Sequence, residues 1–198
     1  MKEIEDLENQ IWKRLRLGYL DNYEQVTVFN RVQTTTIENN EDDIITQQEE
    51  STIFIFDGKK IYNTWLGDDS PKIMFEKSDK VDFKINVKVI ENEESADFAA
   101  GIVIKAKGDI YYFALDSERR INLDRRGKEG SINEVMIQTD EVELIIRFYK
   151  SNCEFLYSCK ERVESLCVLN LNVDEIEYGV GCKTYFYPRP VIVEIRTL

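Results

Sequence analysis

Between Val81 and Val89 every second residue is apolar. Val81, Phe83, Ile85, Val87 and Val89 are separated by Asp82, Lys84, Asn86 and Lys88. A period of two puts the apolar set on one face and the polar set on the other, the pattern of a half-buried antiparallel strand. After a turn rich in acidic residues, Ala100-Gly101-Ile102-Val103-Ile104 and Ile110 to Leu115 read as two more strands. In the second both parities are apolar, with Tyr111, Phe113 and Leu115 on one side and Ile110, Tyr112 and Ala114 on the other. A strand apolar on both faces is covered on both, so something lies over Tyr112.

The pattern recurs along the chain. VTVFN (26–30), VQTTTI (32–37), STIFIF (51–56) and KIMFEK (72–77) are β-branched or aromatic runs. So are VELIIRFYK (142–150), CEFLYSC (153–159), LCVLNL (166–171), EIEYGVGC (175–182) and VIVEIRTL (191–198). Turn residues separate them at short intervals, which points to a two-sheet antiparallel sandwich and away from βαβ units. Helical spacing occurs at 3–17, where Ile4, Leu7, Ile11 and Leu15 share a face and Gly18 can cap the end. The expectation is a single domain over 1–198, an all-β sandwich from 25 to 198 preceded by one amphipathic helix.

Composition removes several kinds of chemistry. With no histidine in 198 residues, Ser-His-Asp triads, Cys-His pairs and HExxH metal sites are excluded. The cysteines at 153, 159, 167 and 182 form no CxxC pair, so they read as buried reduced thiols, and no metal or cofactor is expected. A net charge of −12 repels phosphate backbones and argues against nucleic acid as a partner. No run reaches the ~18 apolar residues of a membrane span. The acidic start, MKEIEDLENQIWKRL, lacks the apolar segment of a secretory leader, so the expected location is cytoplasmic.

From about Trp65 to Leu198 the order of features resembles the concanavalin A-like lectin/glucanase superfamily. The features are the Phe83 to Val89 strand, the acidic turn, Ala100 to Ile104, the turn at Lys107-Gly108-Asp109, the strand Tyr111-Tyr112-Phe113-Ala114-Leu115, and the closing run Val191 to Ile195. The likeness is nearest to the non-catalytic branch, the jelly-roll domains appended to family 43 glycoside hydrolases and their stand-alone relatives of unknown function. It implies a concanavalin-like jelly roll in which the Ala100 and Tyr111 strands form a hairpin in the middle of a sheet. The Glu-x-Asp-x-x-Glu signature of the superfamily's β-glucanases is missing; the nearest string, Asp174-Glu175-Ile176-Glu177, has the wrong spacing. No catalytic residue is assigned. Gly67-Asp68-Asp69-Ser70, a possible source of calcium ligands in the lectin branch, is accounted for by turn chemistry.

Alternation also assigns faces. Val81, Phe83, Ile85, Val87, Val142, Leu144, Ile146, Phe148, Val191, Val193 and Ile195 are expected to point into the core. If the other face is a shallow groove, its lining is Lys84, Asn86, Tyr112, Glu143, Arg147 and Tyr149, where aromatic planes could stack on sugar rings and charged groups bond hydroxyls. Read singly, the same residues are cross-strand ion pairs and packed tyrosines. Tyr185, Phe186, Tyr187 and Arg189 form a stiff aromatic loop with Pro188 and Pro190, either an interface or a plug at the end of the core. The leading expectation is a non-catalytic module that recognises a carbohydrate or sugar-like ligand on the concave face. The alternative is a cytosolic protein-interaction or accessory subunit without a sugar site, and a carboxylate-dependent glycosidase comes third.

Overall fold

The computed structural model describes residues 35–40, 44–48, 50–62, 70–75, 82–94, 96–128, 130–149, 151–159, 162–186 and 189–198. The expected helix at 3–17 and strand at 26–30 lie outside the described residues, as do Val81 and Tyr187. The strands are β1 (Thr35–Glu38), β2 (Ile45–Gln47), β3 (Ser51–Asp57), β4 (Lys72–Phe75), β5 (Asp82–Asn92), β6 (Phe98–Ala106) and β7 (Asp109–Asp116). They continue as β8 (Arg120–Arg125), β9 (Asn133–Met136), β10 (Glu141–Phe148), β11 (Cys153–Cys159), β12 (Arg162–Leu169), β13 (Ile176–Thr184) and β14 (Pro190–Thr197).

They form two antiparallel seven-stranded sheets. One runs β1-β4-β13-β6-β7-β8-β9, the other β12-β11-β10-β5-β14-β3-β2. Period-two patterning delivers one apolar parity of each strand to a shared core. Phe83, Ile85, Val87, Val142, Leu144, Ile146, Phe148, Val191, Val193 and Ile195 are all buried in it, as their alternation requires. Aromatic rings tie the sheets together. Tyr178 of β13 packs against Phe83 of β5 at 4.7 Å between centroids and Phe148 of β10 at 5.5 Å, while Phe113 of β7 meets Phe155 of β11 edge-on at 5.4 Å.

β6 and β7 pair as a hairpin in the interior of the first sheet. Its two-residue turn, Lys107-Gly108, takes φ of 53° and 82°, the left-handed pair that matches strand twist. All four cysteines are unpaired, with Cys153 and Cys182 buried.

The structure adds β2, β8 and β9 to the strands expected. β12 begins at Arg162 and ends at Leu169 instead of running 166–171. A register shift between Phe155 and Leu156 inserts one extra residue on the β12 side, which lets an edge strand with a mixed polar pattern follow β11.

Candidate functional site

The outward parity of the sheet containing β7 carries an unusual floor. The register aligns Glu38, Lys72, Gly181, Gly101, Ala114, Asn122 and Glu134 in one row across the strands. At its centre three neighbouring strands present glycine, glycine and alanine. The next row is Met74, Gly179, Val103, Tyr112 and Asp124. On the other side Lys183 stands opposite Ala99, which stands opposite Asp116.

The low floor lets a long side chain cross it. Lys183 leaves β13, passes β6 and β7, and donates from Nζ to Asp124 Oδ2 on β8 at 3.0 Å. Its ammonium lies 4.9 Å from the Tyr112 ring centroid and 5.7 Å from that of Tyr185, so two aromatic rings flank the charge. The Tyr112 hydroxyl pairs with the Ser70 hydroxyl. Met74, Val103, Ile110 and Tyr112 form a small apolar cluster on this face, separate from the main core.

Asp116 organises the neighbouring end. Its Oδ1 accepts the backbone N–H groups of Glu118 and Arg120, and its Oδ2 accepts Arg120 Nε and Asn122 Nδ2, the latter two at 3.0 Å. Arg120 also contacts Glu118 and Glu134. Burial works against the Arg120 guanidinium, but its carboxylate partners, Asp116 foremost, hold its pKa above the ordinary value. The bond to Asp116 fixes the Asn122 amide, because turning it would set oxygen against carboxylate oxygen. Asn122 is 4% exposed, and among the described residues its fully buried Oδ1 has no hydrogen-bond partner.

Beyond Lys183, Tyr185 continues the outward parity, its N–H bonded to the Asp97 carbonyl. Burial, reinforced by Asp116, Asp124 and Asp97, pushes its phenol pKa up. Phe186 packs edge-on against Tyr185 at 5.6 Å, is 77% exposed, and sits at φ 57°, a left-handed conformation uncommon for an aromatic residue. Among its described residues the loop is therefore not a plug in the core. Tyr185 lies over the sheet face, Phe186 faces solvent, and the partly exposed Arg189 reaches Glu93 at 3.7 Å.

The six residues expected to line a groove divide between two faces. Lys84, Asn86, Glu143, Arg147 and Tyr149 belong to the β5 and β10 region of the second sheet. Tyr112 lies on the first sheet, 2% exposed and facing the other way, a correction to that grouping. Alternation defines a residue's parity within its strand but not the sheet its strand joins. On the second sheet Arg147 bridges Asp82 at 3.3 Å and Glu154 at 3.7 Å, and the Tyr149 hydroxyl donates to Glu154 at 3.2 Å. Sequence reasoning passed over Arg120, Asn122, Asp124 and Lys183. The alternation of Ile121 and Leu123 with Arg120, Asn122 and Asp124 was the available signal for β8.

No protein-family model matches the sequence, and no curated protein matches it. Solved structures do match in three dimensions. The GH43 protein BlXynB from Bacillus licheniformis superposes with a TM-score of 0.57 at 10% identity, over 87% of this chain and 40% of that one. The fold is the concanavalin A-like sandwich. The same sandwich relates the chain to a functionally unknown protein from Saccharomyces cerevisiae, with a TM-score of 0.56, 14% identity, and coverage of 84% of this chain and 95% of that one. It also relates it to the alginate lyase AlgAT5 of polysaccharide lyase family 7, at 0.50 and 12% identity over 79% and 80%. The chain spans about two fifths of the length of the GH43 proteins it matches. In this chain the Lys183–Asp124 crossing and the small-residue floor mark the outer face of the β7 sheet.

Proposed function

We propose that this chain is a non-catalytic binding module that holds a carbohydrate on the outer face of the β7 sheet. The observation that carries the reading is the rim of that face, where Tyr185 and the exposed Phe186 pack against each other beside the Lys183–Asp124 pair. These are the kinds of group that recognise sugars elsewhere: ring faces at Tyr185 and Phe186, and polar side chains at Asp124 and Arg120. Asp116 and Asp124 are both engaged with cations, which suits binding rather than proton transfer.

The test is a thermal-shift and calorimetric screen against neutral and acidic oligosaccharides, repeated with Phe186→Ala and Arg147→Ala. The expected result is stabilisation by at least one glycan, weakened about tenfold by Phe186→Ala and unchanged by Arg147→Ala. Loss on Arg147→Ala with retention in Phe186→Ala would move the site to the second sheet.

A protein-interaction role is the second reading, and β12 favours it. This terminal strand exposes Val163 and Val168 along an edge. Co-purification of one protein together with no response to any glycan would select it.

A further inference from the structure

The turn between β7 and β8 also walls a cleft at one end of the sandwich. The cleft, about 450 Å³ in volume, has Asn92, Glu94 and Asp97 on the side of the β5–β6 loop and Ser117, Glu118 and Arg119 on the side of the turn. That volume falls in the range of small-molecule sites. The turn wall is preassembled. Asp116 Oδ1 accepts the N–H groups of Glu118 and Arg120, the Ser117 N–H donates to the Phe98 carbonyl, and Arg119 takes φ of 59°. The facing wall joins the aromatic rim. The Asp97 carbonyl accepts the Tyr185 N–H, and Phe186 packs on the Tyr185 ring, so Asp97 borders the cleft and the rim at once.

The charges lining the cleft set the chemistry it can take. Arg119 donates to the Ser117 carbonyl at 2.8 Å and lies 2.7 Å from Asp140, so its charge is already matched. Glu118 lies 3.3 Å from Arg120. Among the described residues no cation pairs with Glu94 or Asp97. A ligand carboxylate would meet two uncompensated negative charges there. A protonated amine would meet two counter-charges, while neighbouring hydroxyls could bond the Asn92 amide and the Ser117 hydroxyl.

We infer that the cleft is a subsite for an amine-bearing sugar residue, a hexosamine whose nitrogen is free, with Asp97 and Glu94 facing the ammonium. This rests on the proposal that the Tyr185–Phe186 rim binds carbohydrate. It adds a second contact region beside the rim and the class of sugar residue that region accepts.

The experiment uses the full chain and three β-1,4-linked hexamers that differ only at C2, where glucosamine carries an amine, N-acetylglucosamine an acetamide and glucose a hydroxyl. Calorimetry is run at about pH 6, below the ordinary range of an amine. The glucosamine hexamer is expected to bind about fivefold or more tighter than either other, the worth of one or two partly exposed ion pairs. That preference should shrink as salt rises from about 50 to 500 mM. Asp97→Asn is expected to bring the three hexamers within about twofold of one another. Glu50→Gln, which removes an exposed carboxylate in the turn between β2 and β3, should leave the preference intact. Circular dichroism and melting check that the variants fold, and Glu94→Gln replaces Asp97→Asn if that variant does not. Binding of the glucosamine hexamer no tighter than the glucose hexamer overturns the inference. So does an equal loss of preference in Glu50→Gln, which marks general attraction to an acidic chain. Either result leaves the carbohydrate reading standing if a hexamer binds and Phe186→Ala weakens it. Binding of none of the three also overturns the inference, and the wider glycan screen then decides the carbohydrate reading by itself.

Discussion

Lys183 and Asp124 are bonded at 3.0 Å although two strands, β6 and β7, lie between the strands that carry them. Neighbouring strands are about 4.8 Å apart, so the lysine must lie nearly flat across the sheet to reach. It can do so because Gly101 presents no side chain and Ala114 only a methyl group in its path. The Lys183 side chain is 11% exposed and that of Asp124 28%, which makes the consequences of breaking the pair unequal.

Lys183→Met keeps the apolar stem and leaves Asp124 free to hydrate through its exposed part. A loss of about 1 kcal/mol is expected in urea unfolding. Asp124→Asn leaves a nearly buried ammonium without its counter-ion, and about 2–3 kcal/mol is expected, short of the full cost of a completely buried break. Equal losses, or a larger loss for Lys183→Met, would mean that the crossing is not held by charge.

The floor glycines differ in what surrounds them. A Cβ on Gly101 would fall inside contact distance of the Phe113 carbonyl oxygen and 2.7 Å from Ala114 Cα, both backbone atoms of the adjacent strand. On Gly181 it would meet side chains first, Val103 Cγ2 at 2.7 Å and Lys72 Cβ at 3.2 Å. Side chains yield more readily than a paired backbone. Gly181→Ala is expected to cost about 1–2 kcal/mol and Gly101→Ala more than about 3, enough to separate β6 from β7 locally. Equilibrium unfolding of the two variants orders them, and hydrogen exchange at Ile102 and Phe113 reads the local effect.

Alkaline pH should destabilise the fold. Burial raises the Cys153 thiol from 9.0 to about 11, and burial together with the bond to Glu164 raises Tyr157 from 10.0 to about 12. Cys182, deeper still, is also raised by burial. A raised folded pKa means that the native state holds its proton more tightly than the unfolded chain. The contribution is therefore fully present below the unfolded value and is lost as pH climbs through the folded one. For Cys153 the window is pH 9 to 11, and the loss is about 2 kcal/mol. Melting curves from pH 8 to 10.5 should fall less steeply for Cys153→Ala than for the unaltered protein. Identical slopes would remove Cys153 as a cause.

Strand-level features were legible wherever side chains alternate or saturate a strand with apolar residues. β5, β10 and β14 show their core parity directly, and the doubly apolar Ile110 to Leu115 requires a covered outer face. β8 was harder, because two apolar residues among charged ones are a weak signal. The candidate face depends on register across several strands: Lys183 reaches Asp124 because Gly101 and Ala114 lie between their strands. Such alignment arises from long-range pairing that no local window contains. The same limit explains why Tyr112 was grouped with Arg147, for parity is local and sheet membership is not.

The lysine that crosses the β7 sheet also constrains how this surface can diverge. Enlarging a residue at 99, 101, 114 or 181 would lift the ammonium off its path and dismantle the pair beneath any ligand. New preferences are therefore accessible mainly through the rim, at Arg120, Asp124, Tyr185 and Phe186, where a side chain can change without obstructing another. Homologues with altered binding should vary at those positions while the row of small residues stays small.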